Sequence, residues 1–155
     1  MIPLAQFEKF LASSVSQARG RASVTLGIFM KAVAVEAKGM IGHELAIWPP
    51  LAPSTIAQKK KLGYVGRISA TDPLLRTGEM RDSIDGEAFG LTGIVGATDE
   101  KAVYHELGTA KMPPRPFLGP ALVGQLPVAE RFFGELAMSL LTPPQSMTRR
   151  SVDGE

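Results

Sequence analysis

The 155-residue chain has no cysteine, which excludes disulfide scaffolds, thiolate nucleophiles and cysteine zinc sites together and suits a reducing compartment. It has no strong excess of one charge. Seventeen Lys and Arg face 15 Asp and Glu, for a formal net charge of +2, a balance that gives solubility without the basic footprint of a nucleic-acid binder, despite a sequence pI near 9.0. No apolar run approaches the ~18–20 residues that span a bilayer, and Met1-Ile2-Pro3-Leu4 lacks a basic region followed by an apolar core. The expectation is therefore a protein that is neither integral to a membrane nor secreted.

Chemical motifs are equally scarce. Neither G-x-x-x-x-G-K-S/T nor G-x-G-x-x-G occurs, so the common phosphate cradles are missing. Ser54, Ser69 and Ser83 lie outside any G-x-S-x-G elbow. The two histidines each precede a glutamate, His43-Glu44 and His105-Glu106, but the second His that a zinc peptidase helix needs four residues on is replaced by Ile47 and Thr109. No metal or cofactor is expected, and His105 and Glu106 read as surface or interface polar groups. Asp72, Glu79, Asp82 and Asp85 read as caps and solvated turns with Arg76 and Arg81 as partners. A hydrolase built on His105, Glu106 and Asp82 stands as the remote enzymatic alternative.

What is present suits one globular domain: 45% of residues are apolar and 21% charged. Apolar or small residues recur every three or four positions from Leu4 to Ile41, which predicts one long helix, or two broken near Gly20, with a stop at Gly42. About 38 helical residues would reach roughly 57 Å, more than such a domain covers, so one end is expected to pack on something else. Residues 42–76 read as a long extended loop with Pro-rich Trp48–Pro53, a short helix over Ile56–Leu62 opened by Ser54-Thr55, and a short strand at Tyr64–Ile68. Lys59, Lys60 and Lys61 are expected on a flexible, exposed part of it.

Thr77–Ile84 reads as one or two helical turns capped by Thr77. Ile84–Phe89 and Thr92–Ala97 form the best hairpin candidate, around Gly90-Leu91, with Gly86, Gly93 and Gly96 placed for bends. Asp99–Leu107 reads as a short helix ending at Gly108, with Ala102, Val103 and Leu107 on one side. Met112–Phe117 carries three prolines and forms a rigid arm, since proline fixes φ and removes a donor. Phe117–Leu141 is helical again, kinked or divided at Pro127. The domain is placed at 1–142 and a flexible tail at 143–155. The class is α+β: a small antiparallel or mixed sheet flanked by a long N-terminal helix and a C-terminal helix.

Five pieces stand in order: Trp48-Pro49-Pro50-Leu51 with Thr55 and the lysine cluster, Leu74-Leu75-Arg76-Thr77-Gly78-Glu79-Met80-Arg81-Asp82-Ser83-Ile84, Ile94-Val95-Gly96, Tyr104-His105-Glu106-Leu107-Gly108-Thr109, and Met112-Pro113-Pro114-Arg115-Pro116-Phe117-Leu118. Over Trp48–Leu122 the chain resembles the virion-morphogenesis, or tail-completion, family of tailed bacteriophages. That family's pattern runs W-x-P-L, T, L-x-x-T-G-x-L-x-x-S-I, V-G, Y-A-x-x-H-E-F-G-T, M-P-x-R-P-F-L. Met80, Lys101 and Leu107 depart from it, standing where Leu, Tyr and an aromatic are usual.

The resemblance implies a non-enzymatic structural protein of the phage neck, similar in fold to tail terminators. It would form a ring, commonly a hexamer, with connector and tail-tube proteins as partners and DNA passing through the channel. It would reside in the virion after assembly in the host cytoplasm. A minor assembly factor acting as a monomer is the alternative. Interface candidates are Trp48, Leu51, Tyr104, Arg115, Phe117 and Leu118, and Lys59, Lys60 and Lys61 are candidates to face the DNA channel or a neighbouring ring. Trp48, Tyr104 and Phe117 suit a partner's pocket or their own core alike. The rigid arm either docks Phe117 on a neighbour or packs it at home.

Overall fold

The computed structural model describes residues 4–62 and 70–141, so the expected strand at Tyr64–Ile68 and the tail at 143–155 lie outside the described residues. In chain order the elements are α1 (Leu4–Met40), α2 (Pro53–Leu62), α3 (Glu79–Asp82), β1 (Ile84–Phe89), β2 (Thr92–Ala97), α4 (Lys101–Leu107) and α5 (Leu118–Leu141). The class is α+β as expected, with one two-stranded antiparallel sheet between long N-terminal and C-terminal helices.

α1 runs unbroken through Gly20 and Gly27. Each glycine costs about 1 kcal/mol against alanine, which a 37-residue helix rich in Ala, Leu, Val and Lys absorbs. At 1.5 Å per residue it is roughly 55 Å long. Phe29, Met30, Val33, Ala34 and Ala37 of its C-terminal part are buried, while Leu11, Val15 and Val24 nearer its start are exposed. The helix stops at Gly42, whose φ of 95° is open to glycine and costly for other residues. The Gly42 amide donates to Pro73 O at 3.0 Å, and a Cβ there would fall 2.8 Å from Leu75 Cδ2.

The hairpin has the expected limits, and its register sets Ile84 opposite Ala97 and Phe89 opposite Thr92. Alternation sends Ile84, Gly86 and Ala88 of β1 to one face, and this face lies on α1. Its small residues explain how closely helix and sheet approach. The Cβ of Ala88 is 3.8 Å from where Gly27 would carry one, and a Cβ on Gly93 would meet Met30 Sδ at 2.7 Å. Gly86 and Gly93 therefore serve close approach rather than the bends expected of them, and the turn itself falls on Gly90, at φ 61°. Ile84 is fully inside, and Val95 and Ala97 border the same core.

The loop expected at 42–76 contains α2, which starts one residue before the Ser54-Thr55 pair, at Pro53. Proline suits a first helical position because its missing amide would lack a partner there anyway. Lys59, Lys60 and Lys61 form the last turn of this helix, which bears out the helix expected over Ile56–Leu62 and corrects the placement of the three lysines on a flexible loop. Lysine is a good helix former, and three cations at a helix C-terminus complement the partial negative charge of its carbonyls.

Gly78, at φ 90°, takes the N-cap position of α3 without a side-chain cap, where Thr77 was expected. The Thr77 hydroxyl instead donates to Glu79 Oε2 at 3.1 Å. α4 is opened by Asp99, whose Oδ1 accepts the Lys101 amide at 2.9 Å, and is ended by Gly108. Only Ala102 of its expected apolar side is buried; Val103 and Leu107 are exposed. α5 continues through Pro127 without dividing. Among the described residues, Phe117, Ile84 and Val33 are the largest fully buried side chains.

Candidate interface and cationic cleft

Prolines decide the chemistry beside the core. Residues Trp48–Pro50 and Pro113–Phe117 have few amides to offer one another, yet their carbonyls still need donors. Two long side chains supply them. Trp48 Nε1 donates to Pro116 O at 2.9 Å. Arg115 donates from Nε and Nη2 to Pro49 O at 3.3 and 3.0 Å, and from Nη2 to Pro50 O at 3.2 Å. The Arg115 amide in turn donates to His105 O at 2.7 Å, tying the arm to α4.

Glu106 completes the lock. The first amides of α5 have no partner within the helix, and the carboxylate of Glu106 accepts three of them: Phe117 N at 2.8 Å and Leu118 N at 3.2 Å on Oε2, Gly119 N at 3.1 Å on Oε1. A negative charge here also complements the helix dipole. Glu106 is thus a structural cap from a different element, where a surface or interface polar group was expected. Glu106→Ala is expected to cost about 2 kcal/mol and Glu106→Gln, which keeps an acceptor oxygen, about half as much, read as lowered urea midpoints. Arg115→Lys, which loses the fork across two carbonyls, is expected to cost about 2 kcal/mol on the same scale.

Of the residues expected at interfaces, Phe117 is 0% exposed, Arg115 6% and Trp48 8%. All three are therefore internal braces of this chain, and the Pro-rich arm packs Phe117 into its own core. Leu51 and Leu118 are half-buried and Tyr104 is exposed. Lys60 and Lys61 are exposed on α2. Lys59 is half-buried and donates to the backbone carbonyl of Asp72, and desolvation holds its pKa below the usual lysine range, opposed by Asp72.

Beside this brace, α2, the turn at 74–78, α4 and the arm enclose a cleft of about 420 Å³. Its walls carry Lys59, Arg76, Lys101, Lys111 and Arg115, with no carboxylate among the described lining residues. Leu51, Leu75, Met80 and Met112 contribute apolar surface. Lys101 pairs with Asp99 at 3.3 Å, whereas Arg76 and Lys111 have no ion-pair partner among the described residues. Leu74, also on the wall, is held at φ 62°, a left-handed conformation uncommon outside glycine.

His105 borders the cleft with a buried Nδ1 that has no hydrogen-bond partner among the described residues. Desolvation, then the Arg115 charge, pushes its pKa below the ordinary histidine value of 6.5, against an opposing pull from Asp99. The folded chain thus binds this proton less readily than the unfolded one, so stability is retained above about pH 6.5 and lost as pH falls from there through the folded pKa. His105→Gln is expected to flatten that decline, measured as urea midpoints between pH 7 and 5. The acid loss carried by Asp82, Asp85 and Asp99, whose pKa values are lowered from 3.8, begins at lower pH and separates from it.

His105, Glu106 and Asp82 make no hydrogen bonds to one another. Glu106 is engaged with α5, and Asp82 with Arg81 at 2.9 Å. The expected pairing with Arg81 thus holds for Asp82, whereas Asp85 pairs with Lys31 at 2.6 Å and Arg76, the other partner expected for this acidic series, lines the cleft instead. Among the described residues no group of three or more His, Cys, Asp or Glu is placed to hold a metal ion, and no helix is long and apolar enough to cross a membrane. Sequence reading missed the cleft because its cations come from four separated segments that no spacing rule joins. Glu106 had a legible signal: a carboxylate shortly before a proline-rich arm that leads into a helix. Compared with known protein families, curated proteins and solved structures, the chain matches none.

Proposed function

We propose that the chain is a non-enzymatic structural protein of the phage neck, which assembles into a ring joining tail to head and leaving a channel for DNA. The observation that carries this reading is apolar surface the chain does not cover. Leu11, Val15, Val24 and Ile28 along α1, and Phe89, Leu91 and Ile94 on the hairpin, are all at least 45% exposed. Apolar surface gathered on projecting elements marks interaction sites, because burying it is the main favourable contribution to association.

The resemblance gains physical sense from the brace. Trp48–Pro50, His105-Glu106 and Arg115–Gly119 depend on one another for hydrogen bonds, so the pieces of the pattern work as one unit. Connector and tail-tube proteins are the proposed partners, the virion is the proposed location, and Lys60 and Lys61 are proposed to face the channel or the neighbouring ring. A near-neutral chain suits a channel through which a duplex must slide rather than be gripped.

The test is light scattering behind a sizing column at several protein concentrations, followed by negative-stain imaging of the large species. Annular particles of uniform mass are expected. A strict monomer throughout the range would overturn the ring and leave the monomeric assembly factor.

A further inference from the structure

We propose that the cationic cleft of one copy receives the hairpin tip of the next, so that the ring is built from one repeated contact between two different patches. The inference rests on the ring reading and adds to it which residues join the copies. Three observations carry it.

The first is the cleft's unmet charge. Buried ionic groups are ordinarily paired with an opposite charge, yet the guanidinium of Arg115, 6% exposed, has backbone carbonyls as its partners and no carboxylate among the described residues. Arg76 and Lys111, on exposed positions of the same wall, extend this field. With Leu51, Met80 and Met112 alongside, the cleft asks for a carboxylate next to an apolar side chain. A volume of about 420 Å³ admits a few side chains but not a helix, about 10–12 Å across.

The second is a narrow element with that chemistry. Along β1 the residues Asp85, Glu87 and Phe89 alternate onto the exposed face. Asp85 is held by Lys31, but the Glu87 carboxylate has no partner among the described residues. Glu87 stands opposite Ile94 in the register and two residues before Phe89, which is 64% exposed, and Leu91 at the turn is 63% exposed. One unpaired carboxylate among three uncovered apolar side chains, on a two-residue turn, is the complement of the cleft.

The third is position. β1 begins just after α3, whose Met80 borders the cleft, and its other end lies five residues on, roughly 17 Å away. Donor and receiver therefore occupy opposite ends of the sheet, and a copy cannot satisfy its own cleft. A contact between unlike patches repeats from copy to copy and ends in a ring when the rotation closes.

The experiment uses the full chain and two variants at exposed positions: Glu87→Ala with Phe89→Ala on the hairpin, and Arg76→Glu with Lys111→Glu on the cleft. Each is expected to retain the wild-type circular dichroism and melting temperature and to run as a monomer in light scattering. Mixed in equal amounts, they are expected to give a discrete species of twice the monomer mass, because one intact hairpin then meets one intact cleft and the opposite patches are both disabled. If the wild type forms rings and the variants do so equally well, or the mixture stays monomeric, this contact is overturned while the ring reading stands. A wild type that never assembles overturns the ring reading, and the contact with it.

Discussion

Replacing Gly86 with alanine is expected to destabilise the chain by about 3 kcal/mol or more, the upper end of what overpacking costs. The added Cβ would lie 2.2 Å from the carbonyl oxygen of Met30 and 2.5 Å from its carbon. Both belong to the backbone of α1, so no rotamer change makes room. Either the hairpin lifts from the helix, exposing Ile84 and Val95, or α1 bends at its most buried stretch. Against a net stability of about 5–15 kcal/mol for a domain, that is a large fraction. Two neighbouring glycines calibrate the result. Gly93→Ala meets the flexible end of Met30 and Leu26 Cδ1, and about 1 kcal/mol is expected. Gly96→Ala meets nothing within 4 Å and should fall within about 0.5 kcal/mol of wild type. Urea unfolding of the three variants, followed by circular dichroism, gives the order; equal losses at Gly86 and Gly96 would show that chain entropy rather than contact sets the cost.

These glycines also show where sequence reasoning reached its limit. Periodicity of three to four over Leu4–Ile41 announced α1, and two β-prone stretches around Gly90-Leu91 announced the hairpin and its limits, because both patterns are local. That Gly86 is needed for the approach of a helix more than fifty residues earlier is not local, and a glycine in a strand looks the same whether it bends the chain or admits a neighbour. The lysine run carries two expectations that conflict: the short helix over Ile56–Leu62 places it in a last turn, as found, while three consecutive cations also read as a flexible loop, although such residues end a helix favourably.

The candidate site divides in the same way. The order Trp48, His105-Glu106, Arg115, Phe117 was legible as a series, but the reason for it was not, since it lies in carbonyls orphaned by prolines and amides orphaned at the start of α5. Nor does any rule of spacing bring Arg76, Lys111 and Arg115 to one wall. Charge reads as a balance when summed along the chain; only the fold gathers five cations around one cleft and leaves Glu87, on the exposed face of β1, without a partner among the described residues.

Phe117→Ala is expected to cost about 3–5 kcal/mol of stability, as for other fully buried aromatic truncations. The ring is 0% exposed and packs in a cluster with Ile84, Trp48 and Ala121. It also sits where the arm enters α5, with its amide on Glu106 at 2.8 Å, so a cavity there loosens the helix start as well as the core. Phe117→Leu, which keeps most of the volume, should cost less than about 1.5 kcal/mol. Tyr104, 49% exposed, makes the contrast: Tyr104→Ala should leave stability within about 0.5 kcal/mol. An arm that docked Phe117 on a neighbour would reverse these outcomes, weakening assembly with the monomer's unfolding midpoint unchanged. Measuring that midpoint at a protein concentration low enough to keep the chain monomeric separates the two, because only a side chain used at home is missed there.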